Sequence, residues 1–234
     1  AGCDHIGNDN AMSRDEVIGE GVIAPRREGQ KWVADDNAYW RSEQTVDRIP
    51  AGGYKCDYSQ GKGWYLRKVE ARTDELVILP DSASEAVIRE AERFWGLRQR
   101  YNDLGFVHKR GFLLWGPPGS GKTATAAILP DHVVQSRDGI VLHNEDAEWL
   151  SKGLELIRGI EPSREVLIVV EDIDAQMHEG RRGGESELLQ LLDGTGNSDG
   201  VLFVATTNYP ERLDKRILNR PSRFDVVQYI GPPT

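Results

Sequence analysis

An eight-residue turn, "GPPGSGKT" from Gly116 to Thr123, follows directly behind the apolar run "GFLLW" (111–115). It constrains the chain more than any other segment. The spacing G-x-x-x-x-G-K-[ST] between a strand and a helix lets backbone N–H groups curl around phosphate oxygens, and the following helix offers its positive end to the same point. The pattern implies a nucleoside-triphosphate site made of Gly116, Pro117, Pro118, Gly119, Ser120, Gly121, Lys122 and Thr123. In such a loop the lysine reaches the β- and γ-phosphates, and the Thr123 hydroxyl is placed to coordinate Mg²⁺. Pro130 lies only seven residues beyond Thr123. A proline inside a helix removes a hydrogen bond, so the first helix is expected to break or bend there.

From Gly105 onward the pattern repeats as strand, turn, helix. Strand candidates are "GFLLW" (111–115), "GIVLH" (139–143), "VLIVV" (166–170), "VLFVAT" (201–206) and "VVQYI" (226–230), with helical stretches "DAEWLSKGLELIRG" and "ESELLQLLDG" between them. Near-continuous apolar strands alternating with helices predict an α/β fold: a parallel five-stranded sheet flanked by helices on both faces. Its chemistry belongs at the carboxyl ends of the strands.

"VLIVVEDIDAQM" ends a buried strand in Glu171 and Asp172, with Asp174 two residues on. Mg²⁺ at Thr123 needs a second anchor, usually a carboxylate on a neighbouring strand. Side chains alternate along a strand, so the two adjacent acids cannot share one job. One register puts Glu171 toward the metal shell and Asp172 near the γ-phosphate, polarising the attacking water. The rival register puts Asp172 on the metal and leaves Asp174 to act as base.

Upstream, three regions differ in texture. Residues 1–30 lack sustained periodicity and read as a flexible arm. Residues 31–80 contain short β-prone runs, "GYKCDYS", "GWYLRKVEA" and "ELVILP", and read as a small antiparallel unit with Trp64, Tyr65 and Leu66 in its core. A helix is then expected from a capping box, Ser82 with Glu85, through apolar positions reaching Tyr101, to a stop at Gly105. Arg89, Arg93 and Arg100 on it read as a solvated face. The domain expectation is therefore 1–30, 31–80 and 81–234.

Composition narrows the function. A net charge of −9 disfavours a general nucleic-acid binder, which needs a basic field. No apolar run approaches the ~18–20 residues of a membrane span, and no signal-peptide pattern opens the sequence. The two cysteines, Cys3 and Cys56, are far apart and lack C-x-x-C spacing, which fits reduced thiols and a cytoplasmic location.

Taken together, "LLWGPPGSGKT", "VLIVVEDID", "VLFVATTNYPERLD" and "NRPSRFD" resemble the AAA ATPases, a branch of the AAA+ superfamily, in order and spacing over roughly residues 105–230. Glu-Asp at the strand end, where most members carry Asp-Glu, resembles the mitochondrial Rieske-protein translocase branch. "RPSRFD" departs from that branch, which usually reads R-P-G-R. The resemblance implies the large subdomain of an AAA+ ATPase using ATP and Mg²⁺. It also implies a helical lid beyond "IGPPT", which this sequence does not include. Asn208 matches the sensor that orients the attacking water. Arg220 and Arg223 match arginine fingers, which reach the γ-phosphate held by the next subunit; a surface salt bridge is the plainer reading of both. Arg181 and Arg182 fall in a loop that faces the central pore in such proteins or serves as a flexible linker. Trp149 and Leu150 fall near the other pore loop, where Trp149 reads as core.

Two functions of different class follow. One is an ATP-hydrolysing motor that assembles with copies of itself into a ring, hexameric or nearly so, and remodels a macromolecular substrate, in all expectation a protein. The other is a nucleotide-gated binding module that hydrolyses little. Retention of Lys122, Asp172, Asn208, Arg220 and Arg223 favours the motor. A DNA-directed loader is disfavoured by the net charge.

Overall fold

The computed structural model describes residues 31–35, 37–42, 46–61, 63–69, 83–143, 146–178, 184–194, 198–213, 217, 220 and 222–231. The expected arm, Ser82 of the capping box, and Arg181 and Arg182 lie outside the described residues. Among the described residues nine strands form one sheet: β1 (Lys31–Asp35), β2 (Ala38–Ser42), β3 (Gly52–Ser59), β4 (Gly63–Val69), β5 (Lys109–Trp115), β6 (Ile140–His143), β7 (Val166–Val170), β8 (Val201–Thr207) and β9 (Val226–Tyr229). Their order is β1-β2-β4-β3-β6-β7-β8-β5-β9. The last five in that order are mutually parallel, in agreement with the sequence reading of the α/β core.

Period-two alternation sorts the strand residues between two hydrophobic layers. Phe112, Leu114, Leu167, Leu202 and Val204 pack with Val87, Ala91 and Phe94 of α1 (Ala83–Gly96) and with Ala126, Leu129 and Val133 of α3 (Lys122–Arg137). Leu113, Ile168, Phe203 and Ala205 face the other way, toward Leu150, Leu154 and Ile157 of α4 (Ala147–Ile160) and Leu188, Leu191 and Leu192 of α6 (Gly184–Asp193). α4 starts where its sequence says it should, because the Asp146 side chain accepts the Glu148 N–H at 2.9 Å. Two shorter helices are α2 (Arg98–Asp103) and α5 (Ile173–His178), the second just after the acids, and a 3₁₀ turn spans Pro210–Arg212.

The structure adds detail to the sequence expectations at three places. The helix expected to run on toward Gly105 is interrupted at Gly96–Leu97, where glycine gives the helix little support. Gly105 itself turns with φ +70°. α3 does not break at Pro130: the helix continues to Arg137 around a buried proline ring, so packing against the sheet outweighs the lost hydrogen bond. The antiparallel strands β1–β4 are also continuous with the main sheet, because β3 pairs parallel with β6, Gly52 opposite Ile140.

A buried polar knot reinforces that join. The Glu161 carboxylate accepts the Trp32 indole N–H at 3.1 Å and the Ile49 N–H at 3.0 Å, and pairs with the buried Arg164 at 2.9 Å. On the face toward α4, Trp64 meets Trp149 edge-on at 5.0 Å, which places Trp149 against the core. Arg89 and Arg93 are exposed, each paired with a glutamate of its own helix.

Gly111 of β5 is fixed by close approach rather than by backbone angle. A Cβ there would stand 1.8 Å from the Arg223 carbonyl oxygen. Gly111→Ala must therefore push away the segment leading into β9. The expected cost is about 1–3 kcal/mol, read as a lowered urea midpoint with unchanged m-value; an unshifted midpoint would contradict the packing described here.

Candidate active site

β8 lies between β5 and β7, so three strand ends meet on one edge of the sheet. β5 delivers the phosphate loop. Gly119 and Gly121 have φ +76° and +89°, left-handed values that glycine adopts without steric cost, and open space lies where their side chains would be. Gly121 is the N-cap of α3, and no side chain caps the helix start. Its first N–H groups thus have no side-chain acceptor and suit an anion. Thr123 is exposed on the first turn, while Ser120 and Lys122 are buried.

Lys122 Nζ donates to the carbonyls of Gly116 at 3.0 Å and Pro117 at 2.9 Å. Burial lowers its basicity, opposed first by the charge of Asp172 and then by that of Asp174. The amine therefore lies within electrostatic reach of both aspartates.

β7 delivers the acids. Asp172 adopts φ +46°, a left-handed conformation uncommon outside glycine but one that aspartate tolerates. Its carboxylate Oδ1 accepts a hydrogen bond from Asn208 Nδ2 at 3.4 Å. Glu171 lies at the surface beside it, and its carboxyl is raised above the usual range first by local desolvation and then by the Asp172 charge. Asp174 is buried and accepts the Thr207 hydroxyl at 2.6 Å. Lys122, Asp172 and Asn208 are thus brought together from three strand ends, and Asp174 lies behind them.

The two arginines sit elsewhere. Arg223 is buried, and its guanidinium grips Asp193 at the end of α6 through two 2.7 Å hydrogen bonds. Arg220 is 58% exposed and reaches the same carboxylate at 2.9 Å. Sequence reasoning missed Asp193, the last residue of an amphipathic helix, which carried no signal of its own. It also passed over Thr206 and Thr207; two hydroxyls closing an apolar strand were a visible cue.

A glycine-rich loop before a helix, a lysine on it, and acids with a strand-end asparagine thus share one edge of the sheet. Residues 112–232 match the family described as ATPase family associated with various cellular activities (AAA). The chain belongs to the AAA family. Among curated proteins this AAA chain is 33% identical over 168 residues to a probable mitochondrial chaperone bcs1 of Schizosaccharomyces pombe, covering 68% of the chain and 36% of that protein. It is 30% identical over 169 residues to mitochondrial chaperone BCS1 of Danio rerio, covering 66% and 39%. It is 31% identical over 205 residues to the ATP-dependent zinc metalloprotease FtsH 1 of Petrotoga mobilis, covering 80% and 31%. The AAA chain spans about a third of the length of these relatives. Among its described residues no helix is long and apolar enough to cross a membrane.

The arginines differ in what they do for the fold. Removing Asp193 leaves Arg223 buried without that carboxylate, so Asp193→Ala should cost about 3–5 kcal/mol, whereas Arg220→Ala should cost about 1 kcal/mol or less. The Arg223 hydrogen bonds hold the Asp193 carboxyl below the usual carboxylate range. A carboxyl lowered in the folded state stabilises the fold above its unfolded pKa, about 3.9, and loses that contribution as pH falls through the folded value. Urea titrations at pH 7 and pH 3 should show the penalty of Asp193→Ala shrinking in acid.

Proposed function

We propose that this chain binds and hydrolyses ATP with Mg²⁺ and serves as one subunit of a homo-oligomeric ring motor that remodels or translocates a macromolecular substrate, most simply a protein. The carrying observation is the meeting of Lys122, Asp172 and Asn208 at the ends of three adjacent strands, beside a helix start with no side-chain cap. In this reading Lys122 leaves its loop carbonyls for the β- and γ-phosphates. Thr123 and Glu171 would hold the magnesium ion, which when bound neutralises phosphate charge. Asp172 takes a proton from the attacking water, and Asn208, already on the Asp172 carboxylate, orients it. The rival register is less well supported, because Asp174 is buried and engaged by Thr207. The cytoplasmic expectation rests on composition, whereas the BCS1 relatives are named as mitochondrial.

Arg220 and Arg223 are proposed to act on the site of a neighbouring subunit, Arg220 more readily because it is the exposed member of the pair. Their shared hold on Asp193 within one chain favours a second reading, a nucleotide-gated switch with little hydrolysis. Steady-state phosphate release from the assembled protein separates the two.

Lys122→Ala should abolish binding of a fluorescent ATP analogue. Asp172→Asn should keep Mg·ATP bound yet lower turnover by roughly 10²–10⁴, with the fold intact because asparagine also tolerates φ > 0. Glu171→Gln should mainly raise the magnesium requirement. Normal hydrolysis by Asp172→Asn with loss in Asp174→Asn would reverse the register. Mixing a variant lacking both Arg220 and Arg223 with Lys122→Ala should restore part of the activity that each lacks alone, since a mixed ring pairs an intact pocket with an intact finger. If rings form and no mixing ratio recovers turnover, the fingers do not act across subunits.

A further inference from the structure

β8 runs from Val201 to Thr207 as five apolar residues and then two threonines, all seven buried. Valine would fill either threonine position with the same shape, and a buried hydroxyl without a partner costs stability. Each hydroxyl has found its partner in the machinery of the site. The Asp172 N–H donates to Thr206 Oγ1 at 3.1 Å. Thr207 Oγ1 donates to Asp174 Oδ1 at 2.6 Å and accepts the Tyr209 N–H at 3.0 Å.

Strand alternation sends the two hydroxyls to opposite faces of β8, so the turn from Glu171 to Asp174 is held from both sides. Thr207 also pins the chain on either side of Asn208, since its own residue precedes the asparagine and its oxygen holds the amide that follows. Asp172 needs such support, because its φ of +46° is a conformation that surrounding structure has to maintain. We propose that Thr206 and Thr207 are positioning residues for ATP hydrolysis: their hydroxyls lock the Asp172 turn and the Asn208 backbone into one register, so that carboxylate and amide face the phosphate loop together. Asp174 is then the buried acceptor of this brace rather than a base. The inference rests on the ATPase reading above.

The test uses Thr206→Val, Thr207→Val and Thr207→Ser in the full chain, with two readouts. In the nucleotide-free protein, residue-resolved amide exchange should speed up about 10-fold at Asp172 in Thr206→Val and at Tyr209 in Thr207→Val, the scale of one lost hydrogen bond. In steady-state phosphate release, Thr207→Val should lower kcat by about 10–100-fold through misplacement of the reacting groups. Its KM for ATP should change little, and Thr207→Ser should recover most of the loss because it keeps the hydroxyl. Parent-like exchange in both valine variants overturns the proposal. So does a Thr207→Ser as slow as Thr207→Val, which would assign the effect to methyl packing. If the parent itself releases no phosphate, the ATPase reading fails, and amide exchange alone decides whether the brace exists. Should Thr207→Val not fold, Thr206→Val carries both readouts.

Discussion

Burying a parallel sheet on both faces is the constraint from which the rest of this molecule follows. An unpaired charge is costly in either layer, so charged groups are either paired or placed where the strands end. Every crossover in the core returns the chain to the same edge, and five parallel strands therefore present their carboxyl ends together. Setting β8 between β5 and β7 brings the phosphate loop, the paired acids and Asn208 within reach of one another, although Lys122 and Asn208 are 86 residues apart in the sequence.

The electrostatics of that edge are balanced rather than relaxed. Lys122 is held on its own loop carbonyls while two aspartates offset its desolvation. Desolvation, with a smaller push from the Asp172 charge, raises the Glu171 carboxyl. In the proposed function, phosphates would take up the lysine and a divalent ion the Glu171 carboxyl. The backbone at Asp172 belongs to the same picture: its φ of +46° is uncommon outside glycine and is maintained by the groups around the turn.

Away from the site, the same sheet carries β1–β4 as an extension. The β3–β6 pairing and the Glu161 knot with Trp32, Ile49 and Arg164 tie these strands to the core through main-chain hydrogen bonds and a buried charge pair. Asp193 and Arg223 make a comparable tie at the opposite end, between α6 and the segment entering β9. Residues read from motif alone as catalytic can thus also hold the fold, and Arg223, the buried member of its pair, is the clearest case.

Much of the core was legible in the residues. "GPPGSGKT" behind "GFLLW" specifies a phosphate loop because its glycines, lysine and threonine act locally, through backbone conformation and reach along a few residues. The five apolar strands and α4 were legible for the same reason: periodicity is short-range physics. What the sequence could not determine by itself were pairings between distant segments. That β3 extends the sheet beside β6, that α3 tolerates Pro130, that Arg223 spends its charge on Asp193, and that Thr206 and Thr207 find their partners in the acid-bearing turn all depend on which groups are buried together. A buried hydroxyl or guanidinium must be satisfied, but only the tertiary structure selects the partner, because that choice is made across the sheet and not along the chain.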